Sequence, residues 1–455
     1  MSPLSKLCWI SITAALLSAC GGGGGGGSST VVAPPAACST ERQVIAVLER
    51  MEDIYFWNDI AEQQNKYRGI NTANFASANA LLDFLRYRPD EFDRNFTFLT
   101  SAEEETLFFG AGVFAGFGFS FELFPPDELR IRQVFEGSPA EAAGFARGFR
   151  MLEIDGRSIA EIQAAEGLNE AFGPPTAGIT LNFLLEDLSS TRFQTVATKA
   201  EVTIDPVPQF RVIPAGLKTI GYVEFRTFIS TSNNALLQAF ADFTAQGVTD
   251  MVVDLRYNGG GLLSVAEFFA SLLAGPSNVN NVLATTRFNR ANQALNVTSR
   301  FSSESNSIDL DSIVFITTDD SASASELVIN ILEPYMDVAL VGSRTFGKPV
   351  GQVASDFCGQ RLRAVAFETV NANDEGQYFD GLPVDCNAED DLAFAIGDAN
   401  EASTAAAITY VTTGACPIIF SPETKAARVQ SLDLQASQRR TRPAGPIWRE
   451  FAGAY

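Results

Sequence analysis

No histidine occurs anywhere in the 455 residues. That absence removes the Ser-His-Asp triad, the Cys-His dyad and every His-ligated metal centre. No two cysteines are spaced as C-x-x-C, so a zinc site is not expected either, and no cofactor is called for. Lysine is scarce: Lys6, Lys66, Lys199, Lys218, Lys348 and Lys425 are all there are, so 26 of the 32 basic residues are Arg. Basic residues are outnumbered by 54 Asp and Glu, for a net charge of −22. A phosphate backbone wants a basic face, so nucleic acid is not an expected partner, and the acidic surface disfavours acidic substrates.

Apolar residues are plentiful, at 46% with 36 Phe, enough for a large core. The chain is long enough for two or three domains. Its first residues read as an export segment, with Lys6 followed by the apolar run Leu7 to Leu17, too short to span a bilayer. Leu17-Ser18-Ala19-Cys20 then resembles the lipobox of bacterial lipoproteins. The resemblance implies a signal peptide over 1–19, lipidation of Cys20 and a lipid anchor in the bacterial cell envelope. Gly21 rather than aspartate after that cysteine leans toward the outer membrane. Residues 20–37, glycine- and proline-rich, read as a tether. Cys38, Cys358, Cys386 and Cys416 remain as disulfide candidates, an even number in an oxidising compartment. Of three possible pairings, Cys358–Cys386 and Cys38–Cys416 are the expected ones.

Residues 38–105 read as helical. Val44, Val47, Leu48, Met51, Ile54 and Tyr55 recur at helical spacing, and a second helical run covers Ser77 to Tyr87. Packing, not chemistry, is the role expected of these helices. Residues 106–208 change to short strands and glycine turns. Within them Gly116-Phe117-Gly118-Phe119, Gly137-Ser138-Pro139-Ala140 and Ile154-Asp155-Gly156 resemble a PDZ domain. That resemblance implies a peptide C-terminus held by the amides of Gly116, Phe117, Gly118 and Phe119. In residues 209–420, strands at 219–225, 251–255, 313–317 and 338–341 alternate with helices at 233–246, 263–273 and 324–334. This order predicts an α/β layer with a largely parallel sheet. Residues 421–455 read as a polar C-terminal extension.

Three segments carry the chemistry: Asp254-Leu255-Arg256-Tyr257-Asn258-Gly259-Gly260-Gly261, Ser321-Ala322-Ser323-Ala324-Ser325-Glu326, and Thr345-Phe346-Gly347-Lys348 with Gln352 beyond it. A triple glycine after a buried strand exposes backbone N–H groups. A serine at a strand-to-helix junction projects its hydroxyl toward the helix's first amides. A lysine can serve as its base if the amine is held neutral, which an arginine cannot be. Together these segments resemble the C-terminal processing peptidases, or tail-specific serine proteases.

The resemblance implies Ser323 as nucleophile, Lys348 (25 residues on, 348 − 323) as base and Gln352 (four further) orienting the lysine. It also implies a crotonase/ClpP-like α/β catalytic core with an inserted PDZ-like β domain and an N-terminal helical region. The oxyanion hole is expected from the N–H of Ala324 with that of Gly260 or Gly261. Desolvation is expected to depress the Lys348 pKa, and Glu326 is read as structural. Pro349 stands where the family more often has glycine. The implied partners are proteins or peptides with exposed C-termini. The competing expectation is a catalytically silent peptide- or lipid-binding protein on the same fold, which has no need of an intact Ser323–Lys348–Gln352 set.

Overall fold

The computed structural model describes residues 38–124 and 126–417. The expected signal peptide, Cys20, the tether over 20–37 and the extension over 421–455 lie outside the described residues.

The N-terminal part holds helices α1 (Thr40–Ile54), α2 (Ala61–Tyr67) and α3 (Ala78–Leu85), then strand β1 (Phe98–Ser101) and α4 (Ala102–Ala111). Ser39 caps α1 by accepting from the Arg42 N–H, and Val44, Val47, Met51 and Ile54 form its buried face. Helix α3 is shorter than the expected Ser77–Tyr87 run. Arg86 leaves helical geometry, and its side chain turns to the Thr97 carbonyl and Asp83. The expected boundary at 105/106 falls inside α4.

A β unit follows: β2 (Val113–Gly116), β3 (Phe119–Phe124), β4 (Glu128–Val134), α5 (Pro139–Ala142), β5 (Arg150–Ile154), β6 (Arg157–Ser158), α6 (Ile159–Ala165), α7 (Leu168–Phe172), β7 (Thr180–Glu186), β8 (Arg192–Thr198) and β9 (Ala200–Thr203). Its main sheet runs β3-β4-β5-β7-β8, all antiparallel, with β3 at one edge. Phe117, Phe119, Phe145, Phe172 and Phe183 build its core.

The remainder comprises β10 (Gln209–Ala215), β11 (Lys218–Glu224), α8 (Ser232–Gln246), β12 (Asp250–Asp254), α9 (Leu263–Ala274), β13 (Val282–Phe288), β14 (Val297–Arg300), β15 (Ser312–Thr317), α10 (Ala324–Leu332), β16 (Val338–Gly342), β17 (Val350–Phe357), β18 (Gln360–Val370), β19 (Cys386–Asn387) and α11 (Ala402–Thr413). Two sheets form. The first runs β10-β11-β12-β15-β16-β19, parallel from β11 onward, as the alternating pattern predicted. Helices α8, α9 and α10 cover one face and α11 the other. Burial on both faces is why β12 reads as an unbroken buried strand.

The second sheet, β1-β18-β13-β14 with β17 also on β18, is antiparallel and was not anticipated. Helices α1 and α3 pack against Leu362, Ala364 and Ala366 of β18, so the N-terminal helices are the cover of this sheet.

The disulfides correct the expected pairing. Cys38 bonds Cys358 and Cys386 bonds Cys416. Cys358 sits at the β17–β18 turn, which the second sheet brings beside the start of α1. Cys386 lies on the edge strand β19, near the end of α11. Sequence spacing could not reveal that adjacency, because the second sheet was not read.

Candidate active site

The site lies where the two sheets meet, beyond the C-terminal ends of β12 and β15, the usual place for a ligand crevice in parallel sheets. After β15 the chain turns through Ser321-Ala322-Ser323. The three serines of this run are not equivalent. Ser321 donates to the Leu255 carbonyl at 2.7 Å and Ser325 to the Asn258 carbonyl at 2.7 Å, and both are fully buried. Ser323 alone is partly exposed. Its backbone has φ 56° and ψ −111°, a conformation that costs a non-glycine residue free energy of order 1–3 kcal/mol. Strain of this kind persists only where surrounding contacts impose it, and here it pushes one hydroxyl out of a buried turn.

The strap after β12 is packed against that turn. A Cβ on Gly260 (φ +99°) would lie 2.8 Å from the Ala322 oxygen and 2.9 Å from the Ser323 Cβ, so only glycine fits. Asn258 stitches the strap. Its amide donates to the Phe225 carbonyl at 2.8 Å and accepts from the Gly260 N–H at 2.9 Å. The Gly260 N–H is therefore engaged. Gly261 and Ala324 line the cleft beside Ser323, and neither N–H meets a protein acceptor among the described residues. Of the two glycines anticipated for an oxyanion hole, Gly261 is the one left to pair with Ala324.

Gln352 lies on β17 of the second sheet and Lys348 in the loop just before it. Lys348, buried, lines the same cleft as Ser323 and donates from Nζ to Gln352 Oε1 at 3.0 Å. Gln352 in turn donates from Nε2 to the Phe96 carbonyl at 2.5 Å. That bond fixes which end of the amide faces the lysine. The Lys348 ammonium also sits 5.4 Å from the Phe96 ring centroid. Arg94 clamps the lysine's loop, donating to the carbonyls of Phe346, Gly347 and Phe379 at 3.2, 3.1 and 2.9 Å. The N-terminal region thus does more than the expected packing, since its 94–96 segment holds Gln352 and the loop that carries Lys348. No side-chain pattern announces this, because the decisive acceptor at Phe96 is a backbone carbonyl.

Glu326, one turn into α10, joins the halves. Fully buried, its carboxylate accepts from the Ser323 N–H (2.9 Å), Thr345 Oγ1 (2.6 Å), the Gly347 N–H (2.6 Å) and the Lys348 N–H (2.8 Å). Burial pushes its pKa up and these four donors pull it back. With both oxygens accepting twice, the ionised form is the one that fits.

The four candidate carboxylate-binding residues of the β unit lie together but are largely enclosed. Gly116 ends β2, opposite Ala200. Phe117 and Phe119 are fully buried in the phenylalanine core. The Gly118 carbonyl accepts from Phe135 N and Ser138 Oγ.

A strained serine at the end of a parallel sheet and a lysine–glutamine pair held by a second sheet thus line one cleft. Residues 219–385 match the model of peptidase family S41. Among curated proteins, the chain is 28% identical over 246 residues to a chloroplastic C-terminal processing peptidase of Tetradesmus obliquus, covering 51% of each chain. It is 25% identical over 267 residues to a carboxyl-terminal-processing protease of Synechocystis, covering 58% of this chain and 60% of that one. The match thus spans about half to three-fifths of the length of these relatives. Among solved structures, a putative S41 protease from Bacteroides fragilis aligns with TM-score 0.66 at 25% identity, over 81% of this chain and 97% of that one.

Proposed function

We propose that the chain is a serine endopeptidase of the C-terminal processing type, with Ser323 as nucleophile, Lys348 as base and Gln352 as the group that orients the base. The observation that carries the reading is the relay from Lys348 Nζ to Gln352 Oε1 to the Phe96 carbonyl, set in the same cleft as Ser323. In this scheme the neutral Lys348 amine takes the Ser323 proton as Oγ attacks the scissile carbonyl. The oxyanion lies against the Ala324 and Gly261 N–H groups. As the C–N bond breaks, the Lys348 ammonium returns its proton to the leaving amine. Water, deprotonated by the same amine, then hydrolyses the acyl-enzyme.

The β unit over 106–208 serves in this proposal as a PDZ-like domain. Its edge strand β3 supports the addition of a substrate's C-terminal strand. Substrates are envelope or unfolded proteins with exposed C-termini, met at a membrane to which the Cys20 lipid ties the chain.

The test is cleavage of an unstructured polypeptide with an apolar C-terminus by the native chain, Ser323→Ala and Lys348→Ala, across pH 6 to 10. The native protein alone should cut, with a rate that climbs as the lysine amine deprotonates. Cleavage by Ser323→Ala would end the proposal.

A further inference from the structure

The cleft holds a second cation that the reaction above does not use. Arg363 lines the wall formed by β18, and it shares the lining with Lys348 but with no Asp or Glu. Because the base must be neutral to act, Arg363 is the permanent charge of the cleft. Strand register fixes its position. Gln352 pairs with Val365 and Ala354 with Arg363, so the Arg363 and Gln352 side chains share one face. They stand one two-residue repeat apart, roughly 7 Å along the strand.

The guanidinium is gripped from behind. Its Nε donates to Glu105 Oε1 at 2.5 Å and its Nη2 donates to the same oxygen, while the Phe109 ring centroid lies 5.6 Å away. Glu105 is fully buried, and its other oxygen has no partner. One carboxylate oxygen therefore holds one edge of the fork. The side chain remains 21% exposed, and Nη1 meets no protein acceptor among the described residues. The surrounding walls are apolar: Leu262, Leu263, Leu327, Val350 and Phe367.

We infer that Arg363 is a specificity-determining residue that pairs through its Nη1 edge with a carboxylate of the bound peptide, while the apolar walls take a neighbouring aliphatic or aromatic side chain. A fork already anchored on one side offers a pre-oriented pair of donors, the geometry in which arginine binds carboxylate well. The carboxylate comes from an Asp or Glu beside the scissile bond or from the C-terminus of a short leaving peptide. On a chain of net charge −22 this is a local exception to a surface that repels acidic ligands. The inference rests on the peptidase reading for the word scissile, but not for the ligand chemistry.

The experiment measures binding, so it does not depend on turnover. Fluorescent peptides carrying one Leu would have a single Glu, or Gln in its place, walked along either side, each with a free or amidated C-terminus. Anisotropy titrations would use Ser323→Ala, and Ser323→Ala carrying Glu105→Gln with Arg363→Gln, which leaves no lone buried carboxylate. The expected result is about tenfold tighter binding for one carboxylate placement in Ser323→Ala, erased in the triple variant. A gain that persists in amidated peptides assigns the side chain, and a gain that needs the free acid assigns the terminus. Ser323→Ala with Arg363→Lys, which keeps the charge and loses the fork, should retain only part of the gain. No gain at any position, or the same gain in the triple variant, overturns the inference. Cleavage of the Gln peptides by the native chain reports separately on the peptidase reading.

Discussion

The two sheets that meet at the candidate site each supply half of it, and they hold their halves differently. The parallel sheet fixes Ser323 by backbone: a strained turn, a glycine strap with no room for a Cβ, and two buried serines tied to carbonyls. On the antiparallel side, Lys348 and Gln352 are held by contacts with residues far along the chain. Arg94 lies 252 to 285 residues from the carbonyls it clamps, and Phe96 lies 256 residues from Gln352. Ser323 is thus positioned within the core, whereas Lys348 and Gln352 depend on the N-terminal cover. Lesions in that cover should damage the base while leaving the nucleophile's turn intact.

Glu326 spans both halves, so its loss should have the largest effect. In Glu326→Gln an NH2 group faces two of the four donors, and each buried N–H left without an acceptor costs about 1–3 kcal/mol. A fall in kcat/KM of about 100-fold or more is expected, at about 1.4 kcal/mol per tenfold. Steady-state kinetics beside a thermal melt would check it, and a Gln enzyme within about threefold of native would refute the bridging role. Next comes Arg94→Ala, which frees two carbonyls of the Lys348 loop and that of Phe379. Here kcat should fall about tenfold with KM little changed. An equal effect on KM would mean that Arg94 shapes the substrate cleft rather than the base.

How much of this was legible depended on the range of the contacts. The parallel sheet read well because each strand is an apolar run separated by amphipathic helices, a local pattern. The serine, lysine and glutamine stood out because their spacing lies within 30 residues (352 − 323 = 29). The second sheet did not read. Gln360 to Val370 mixes arginines with apolar residues and joins partners as distant as Phe98 and Thr285. The disulfide error has the same origin, since Cys38 meets Cys358 only once that sheet exists. Gly260 was anticipated as an oxyanion donor with as much reason as Gly261, and only the Asn258 side chain, bonded back to the strap, separates them.

The disulfides sharpen the comparison at a smaller scale. Cys38–Cys358 closes 320 residues and ties the cover to the hairpin bearing Gln352, whereas Cys386–Cys416 closes 30 and stays within the parallel layer. Replacing the first pair by serines should cost about 2–5 kcal/mol of stability and lower activity, and replacing the second should cost less and leave the folded enzyme's kcat unchanged. Denaturant midpoints with parallel rate measurements would tell them apart. Equal activity losses would contradict the view that only the base half depends on the N-terminal cover.

The smallest effect on activity lies away from both sheets. Lys199, buried at the end of β8, donates to the Gly173 and Pro174 carbonyls at 2.9 and 2.8 Å, and burial pulls its pKa down to about 8. Unfolded lysine titrates near about 10.4, so between pH 8 and that value the unfolded chain binds the proton more tightly. Stability from this residue therefore rises with pH across the window. Below pH 8 both states are protonated, and the folded chain carries the full cost of a buried cation. Against a Lys199→Met variant, the native unfolding midpoint should gain ground as pH is raised from 8 to 10. A difference that stays flat with pH would mean the amine is not enclosed as described, and that the β unit opens around it.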